Sequence, residues 1–152
     1  MNSASTGSFA AMAPDPYNLA RFVDAQLDIY ADALQELRSG AKRSHWMWFI
    51  FPQFAGLGTS EMSIRYAIGN IEEATAFLRH PLLGARLEKC TTAVIAHRSL
   101  TLDNIFGTVD ALKFRSSMTL FEVAAPDNKT IRAALESKCN AKRDPMTLEL
   151  LG

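Results

Sequence analysis

Apolar residues recur every three or four positions along most of this chain, which is the spacing of an amphipathic α-helix. Between Pro16 and Ser39 the pattern predicts one helix, and Gly40 is expected to end it as a C-terminal cap. Gln26 lies on the apolar stripe, where a core amide paired inside the protein is a more common outcome than a ligand contact. Since no segment alternates apolar and polar residues as a strand does, the pattern predicts an all-α, mainly helical protein.

Residues that favour helix starts divide the rest of the chain into shorter helices. Asn70 and Glu73 form a capping box before a predicted helix from Ile71 to Arg79, and the helix that follows Pro81 is expected to end at His97. The predicted starts are Thr59 or Ser60, Asn70, His80-Pro81, Asp127 or Asn128, and Asp144-Pro145. The chain has no internal repeat and no linker, so we expect a compact, irregular helical fold.

The helix predicted from Val109 to Val123 is expected to be central, because apolar residues cover most of its circumference. Its predicted buried faces hold Val109, Leu112, Ser116, Leu120 and Val123 on one side, and Phe114, Met118 and Phe121 on the other. The arc that is expected to face solvent holds Arg115, Thr119 and Glu122. Between the apolar faces lie three polar residues that are expected to be partly buried and to contact one another or a ligand, namely Asp110, Lys113 and Ser117.

Length and composition predict one domain. A chain of 152 residues with 48% hydrophobic residues is long enough to bury a single core. Residues 1–15 consist largely of small residues and have neither a basic start nor an apolar run, so they are predicted to form a disordered tail rather than a secretory signal. Residues 16–152 are then predicted to form a single helical domain.

Charge and cysteine content narrow the classes of partner. The chain has 16 basic and 16 acidic residues, so a surface that neutralises many phosphates of a nucleic acid is not expected, although Lys42 and Arg43 form a local basic pair. No segment approaches the roughly 18 apolar residues that span a bilayer. Cys90 and Cys139 lie on apolar faces, where a disulfide is not expected. The sequence therefore predicts a reduced, cytoplasmic protein with no membrane partner.

The segment KRSHWMWFIFPQFAGLG, residues 42–58, differs from the rest because it contains both tryptophans and two glycines that force turns. A glycine turn before a helix N-terminus leaves amides free for an anion, and indole rings offer flat surfaces for stacking. The candidate ligand-binding residues are Lys42, Arg43, His45, Trp46, Trp48, Gln53, Thr59 and Ser60, together with Asp110, Lys113 and Ser117. The alternative is that these aromatic residues form the core and the glycines merely turn the chain.

Most sequence patterns of catalysis are missing from this chain. It contains no HExxH, C-x-x-C, P-loop or G-x-S-x-G motif, and its three histidines are too widely spaced for a local metal clamp. We therefore predict neither a metal nor a cofactor, and whether the protein is an enzyme stays open. His45 is the candidate general acid or base, with a core histidine as the alternative.

Two functions from different classes fit this pattern. The first is a pocket for a small anionic, ring-bearing metabolite such as a nucleotide derivative, in which residues 42–60 and the edge of the central helix with Asp110, Lys113 and Ser117 face one cavity. The second is a protein-interaction module that docks an unknown partner through a partly exposed aromatic segment. Burial discriminates them, because a concave polar site favours the pocket and a flat exposed patch favours the partner.

The runs SHWMWFIFPQ, GLG, HPLLGARL and IFG..D..K..SSMTLF resemble a bacterial family catalogued as domain of unknown function 1810, from about Tyr17 to the C-terminus. The resemblance implies a compact, mainly helical single domain without an established activity, and it supplies no catalytic residues. Such proteins are sometimes labelled calpastatin. Calpastatin-type inhibitors are repetitive and disordered when free, whereas this chain has one dense, non-repeating core pattern.

Overall fold

A computed structural model describes residues 14–152 of the chain, which fold into ten helices without a β-strand among them. The helices are α1 (Ala20–Gln26), α2 (Tyr30–Ser39), α3 (Met47–Ile50), α4 (Glu61–Arg65), α5 (Ile71–Arg79), α6 (Leu83–Ala96), α7 (Leu102–Phe106), α8 (Thr108–Ala124), α9 (Lys129–Lys138) and α10 (Pro145–Leu151). One isolated parallel bridge joins Phe54 and Ile68. The all-α prediction is confirmed. No helix of the described part is long and apolar enough to cross a membrane.

Four of the predicted helix starts are confirmed, and a side chain caps the helix at each of them. Ser60, Asn70, Asn128 and Asp144 each accept a hydrogen bond from the amide three residues further on. The helix expected at His80-Pro81 instead begins at Leu83, with the His80 ring accepting from nearby amides. The short helices α3 and α7 were not predicted.

The prediction of one continuous helix from Pro16 to Ser39 is wrong, because the chain turns between α1 and α2. The two helices pack on different partners, α1 on α3 and α2 on α6. Gln26 lies at this turn, where its amide nitrogen donates to the carbonyl of Phe49 at 2.8 Å and its oxygen accepts from Arg86 at 3.3 Å. Gln26 is therefore the paired core amide that was predicted, and Gly40 ends α2 in the left-handed conformation.

The predicted tail, residues 1–15, lies largely outside the described residues, and only its last two positions can be compared with the structure. The carboxylate of Asp15 accepts hydrogen bonds from the amides of Leu19 at 2.8 Å and Ala20 at 2.9 Å. Asp15 thus contacts the first turn of α1. Both cysteines are free and buried, as their apolar positions predicted.

The central position of α8 is confirmed, since it packs against α5, α7, α9 and α10. Phe114 of this helix meets Phe51 with ring centroids 5.0 Å apart and Phe106 at 5.3 Å. All three rings are buried, and Trp46 packs on Phe51 at 6.2 Å. Much of the aromatic segment therefore belongs to the core around α8.

The predicted faces of α8 need correction. Val109 and Leu112 are 67% and 58% exposed, and Val123 is also exposed, whereas Thr119 in the arc expected to face solvent is fully buried. The segment before α10 covers that arc, because the amide of Asp144 donates to the Thr119 hydroxyl at 2.9 Å. A polar partner from a distant segment thus buries Thr119, while Val109, Leu112 and Val123 lie at the surface.

Gly84 allows the start of α6 to approach the end of α5. A Cβ atom at this position would lie 2.1 Å from the carbonyl oxygen of Leu78, so the backbone would have to move. We expect Gly84→Ala to lower the free energy of unfolding by about 1 to 3 kcal/mol, measured by urea denaturation. The matched control is Gly69→Ala, whose Cβ would make an ordinary contact with Glu73 at 3.4 Å. Wild-type stability of Gly84→Ala would show that this close approach does not exist.

Candidate functional site

Two lysines and one aspartate meet between the aromatic segment and α8. The Asp110 carboxylate lies 2.9 Å from the Lys42 ammonium and 3.2 Å from the Lys113 ammonium. Burial alone would raise the pKa of the Asp110 carboxyl, but the hydrogen bonds and charges of Lys42 and Lys113 outweigh it and leave that pKa below its ordinary value. This lysine–aspartate cluster (Lys42, Asp110, Lys113) carries one positive charge in excess.

Each lysine of the cluster also lies over an indole ring. The Lys113 ammonium is 4.4 Å from the centroid of Trp48, and the Lys42 ammonium is 5.0 Å from that of Trp46. Trp46 is fully buried, so no ligand ring can stack on it without a rearrangement of the core, whereas Trp48 is partly exposed. Gly58 adjoins Trp48, because a Cβ at position 58 would lie 3.3 Å from the indole. Of the two tryptophans, Trp48 is the one that an incoming ring can reach.

Glu36 orders the loop that carries Lys42. Its carboxylate accepts hydrogen bonds from the Arg43 amide at 2.8 Å, the Ser44 amide at 3.0 Å, the Ser44 hydroxyl at 2.6 Å and the Trp46 indole at 2.9 Å. Burial opposes ionisation of Glu36, but these bonds prevail and lower the pKa of its carboxyl from 4.5 to about 2. Glu36 was not among the candidate residues, because nothing in its local spacing signals partners in the following loop.

The remaining predicted residues of the basic and aromatic segment lie nearer the surface. His45 is exposed, so the alternative that it is a core histidine is wrong. Arg43 is exposed beside Asp32, Gln35 and Glu36 in a separate shallow cleft, and it is not in the lysine–aspartate cluster.

Thr59 and Ser60 are exposed at the start of α4. This helix has only five residues, and the Ser60 hydroxyl already accepts the amide of Ser63 at 3.2 Å. Fewer free amides are therefore available to an anion at the start of this helix than the glycine turn predicted.

Two of the candidate residues are buried polar groups without hydrogen-bond partners. The Gln53 amide nitrogen and the Ser117 hydroxyl accept or donate no hydrogen bond with any group of residues 14–152, although Gln53 is 5% exposed and Ser117 fully buried. Ser117 lies one turn after Lys113 on the same face of α8. Gln53 comes two residues after Phe51, whose ring contacts Phe114 of α8. Buried polar groups normally find partners, so these two mark the junction between the aromatic segment and α8 as chemically unusual.

The fold and this junction define an all-α domain with a positively charged, tryptophan-flanked polar region beside its central helix. Residues 14–152 contain no cluster of three or more metal-ligating side chains. The family model described as "Protein of unknown function (DUF1810)" matches residues 16–151, and the chain belongs to this family.

A solved structure is similar over nearly the whole chain. The crystal structure of the conserved hypothetical protein Rv1873 from Mycobacterium tuberculosis has 47% sequence identity and a TM-score of 0.88, with 90% of this chain and 98% of that chain covered. None of the curated proteins matches. These comparisons confirm the family and the fold, and neither description names a ligand or a reaction.

Proposed function

We propose that this protein binds a small anionic, ring-bearing metabolite, such as a nucleotide derivative, at the junction of α8 with the aromatic segment. The observation that carries the proposal is the pair of buried groups without partners among the described residues, Gln53 and Ser117. Leaving such groups unpaired costs roughly 1 to 3 kcal/mol each. Because the Gln53 amide nitrogen and the Ser117 hydroxyl are themselves buried, a ligand contacts them only when the side chains at the junction move apart, and it then supplies an acceptor to the first and a partner to the second.

The charges at the junction favour an anion. Asp110 neutralises one of the two lysines, and the remaining positive charge resides on a group that is already partly removed from water. Lys113 is the better candidate for the anion contact, because its side chain is more exposed than that of Lys42, 24% against 8%. Lys42 would then hold Asp110 in place.

Trp48 supports the ring-bearing part of the proposal. Its indole is partly exposed and lies next to Lys113, so a ligand ring on Trp48 would place an attached anionic group within reach of the ammonium. The rival function, docking of a protein through the aromatic segment, has less support because Trp46, Phe49 and Phe51 are buried and offer no flat exposed patch.

We expect Lys113→Met to weaken ligand binding with little change in stability. Lys42 remains paired with Asp110 in this variant, so no buried charge is left alone, and the partly exposed ion pair that is lost contributes about 1 kcal/mol. Tryptophan fluorescence is measured during titration with a panel of nucleotides and phosphorylated metabolites. Loss of one charge-assisted hydrogen bond predicts an affinity about tenfold lower.

Two variants control this experiment. Lys129→Met removes an exposed lysine at the start of α9 and should leave both affinity and stability unchanged. Trp48→Phe should abolish the fluorescence response while the buried Trp46 still reports an intact fold. If no compound of the panel changes the wild-type fluorescence at millimolar concentration, the anionic pocket should be abandoned in favour of the protein-interaction module.

A further inference from the structure

A second polar site lies on the opposite side of the central helix. A cleft of about 360 Å³ opens between the segment 98–103, the first half of α8 and the end of α9. Three basic side chains line it, Arg98, Arg115 and Lys138, against a single acidic one, Asp103. We refer to these surroundings as the basic cleft. In a chain with no formal net charge, three cations around one cavity are a local concentration of positive charge.

The cations of the basic cleft have no carboxylate partners. Residues 14–152 contain four ion pairs, and none of them involves Arg98, Arg115 or Lys138. Lys138 instead donates to two backbone carbonyls, that of Leu100 at 2.7 Å and that of His97. Burial lowers the pKa of the Lys138 ammonium, because those neutral oxygens do not replace the water that it has lost.

Arg115 provides a second, independent observation. Its Nε is buried and has no hydrogen-bond acceptor within the described part of the chain. Burial raises the pKa of the neighbouring Cys139 thiol, and the charge and hydrogen bond of Arg115 oppose that rise. A thiol is a weak acceptor, so it does not satisfy a guanidinium that has five donors in a planar fork. Arg115 therefore has donors to spare at the wall of a cavity.

We propose that the basic cleft binds a small oxyanion with at least two negative charges, either a phosphoryl group or a dicarboxylate. Arg115 is the principal contact, because its guanidinium can present two parallel donors to a pair of oxygens. Arg98 is exposed at the cleft and adds a second charge, and Lys138 contributes its positive charge from the end of α9. The negative charge of Asp103 repels the anionic ligand and lowers its affinity for the cleft.

This site is separate from the proposed metabolite site. Arg115 follows Lys113 by two residues, and at 3.6 residues per turn this places their side chains on roughly opposite faces of α8. Trp48 contacts Lys113 and does not line the basic cleft. Binding of an anion in the basic cleft should therefore leave Trp48 fluorescence unchanged, and Lys113→Met should not alter binding in the basic cleft. The two proposals thus succeed or fail independently.

The test uses pyrophosphate and succinate as the two probes, titrated at low ionic strength where screening is weak. Binding is measured by calorimetry and by the NMR shift of the Arg115 Nε–H resonance. Arg98→Gln should weaken binding by about threefold or more, and Arg115→Gln by about tenfold or more. Lys129→Gln, the same charge change at the other end of α9, should have no effect beyond a small general loss.

Asp103→Asn provides a variant whose expected effect is a gain. Asp103 is the only carboxylate among residues 14–152 that lines the cleft, so its removal should raise the affinity for either probe by about threefold, which no folding defect would mimic. Binding of pyrophosphate alone would identify a phosphoryl site, and binding of succinate alone or of both would identify a dicarboxylate or general oxyanion site. The proposal is overturned if neither probe shifts the Arg115 resonance, or if Arg98→Gln and Lys129→Gln lower the affinity equally.

Discussion

Replacement of Leu120 by alanine is expected to lower the free energy of unfolding by about 2 to 5 kcal/mol. Leu120 is fully buried in α8, the helix that packs against four others, so truncation removes apolar contacts that the surroundings cannot readily replace. Urea denaturation followed by far-UV circular dichroism measures the change, and an unaltered m-value would show that the denatured state is unaffected.

Leu112→Ala is the matched control for this prediction. It makes the same substitution in the same helix, so the change in helix propensity is shared, but Leu112 is 58% exposed. We expect a loss within about 0.5 kcal/mol for this variant. A loss at Leu120 below about 0.5 kcal/mol would place that residue on the surface and contradict the central position of α8.

Glu36→Gln is expected to destabilise the protein by about 2 kcal/mol at neutral pH. The glutamine oxygen can keep the contacts of Oε1 with the Arg43 and Ser44 amides and the Trp46 indole, but these hydrogen bonds lose the negative charge of the carboxylate. The amide nitrogen takes the place of Oε2, so the Ser44 hydroxyl has to turn from donor to acceptor. The expected loss is smaller than the free energy that corresponds to a pKa shift from 4.5 to about 2, because Glu36 is partly exposed and water screens its interactions.

The same carboxylate predicts the acid sensitivity of the fold. Because the pKa of Glu36 is lower in the folded protein than in the unfolded chain, its contribution is complete above about pH 4.5 and is lost as the pH falls towards 2. The difference in stability between the wild type and Glu36→Gln should therefore shrink over this interval. Denaturation curves at several pH values measure it, and a constant difference would contradict the role given to Glu36.

Glu149→Gln is the control for both measurements on Glu36. Glu149 is an exposed glutamate of α10 whose side chain makes no ion pair or hydrogen bond with residues 14–152. Its replacement should change stability by less than about 0.5 kcal/mol. An equal effect at Glu36 and Glu149 would mean that the loss of a negative charge, and not the loop contacts, accounts for the result.

The parts of the site that were predictable are those in which partners are close in sequence. Asp110 and Lys113 lie one helical turn apart, and their ion pair was the expected alternative to a bound ligand. Lys42 completes the cluster from a distant segment, and its contact with Asp110 depends on how the aromatic segment packs against α8. Neither the enclosure of Trp46 nor the accessibility of Trp48 was distinguishable from sequence, because both indoles lie in the same apolar run.

The basic cleft was not predicted at all. Arg98, Arg115 and Lys138 come from three separate elements, and each alone looks like an ordinary surface cation in the sequence. Arg115 was expected to face solvent on a polar arc of α8. It lines a cleft instead because α9 packs against α8 and brings Lys138 alongside it.

The sequence by itself determined the helical class, the caps of four helices, the end of α2 at Gly40 and the core role of Gln26 and the cysteines. These features follow from interactions within one or two turns or from apolar periodicity, which a single segment already contains. Tertiary structure alone decided the break between α1 and α2, the exposure of Val109 and Leu112, the burial of Thr119 and the partners of Glu36. Each of these depends on which distant segment covers a given face, and the period of a helix does not specify its partner.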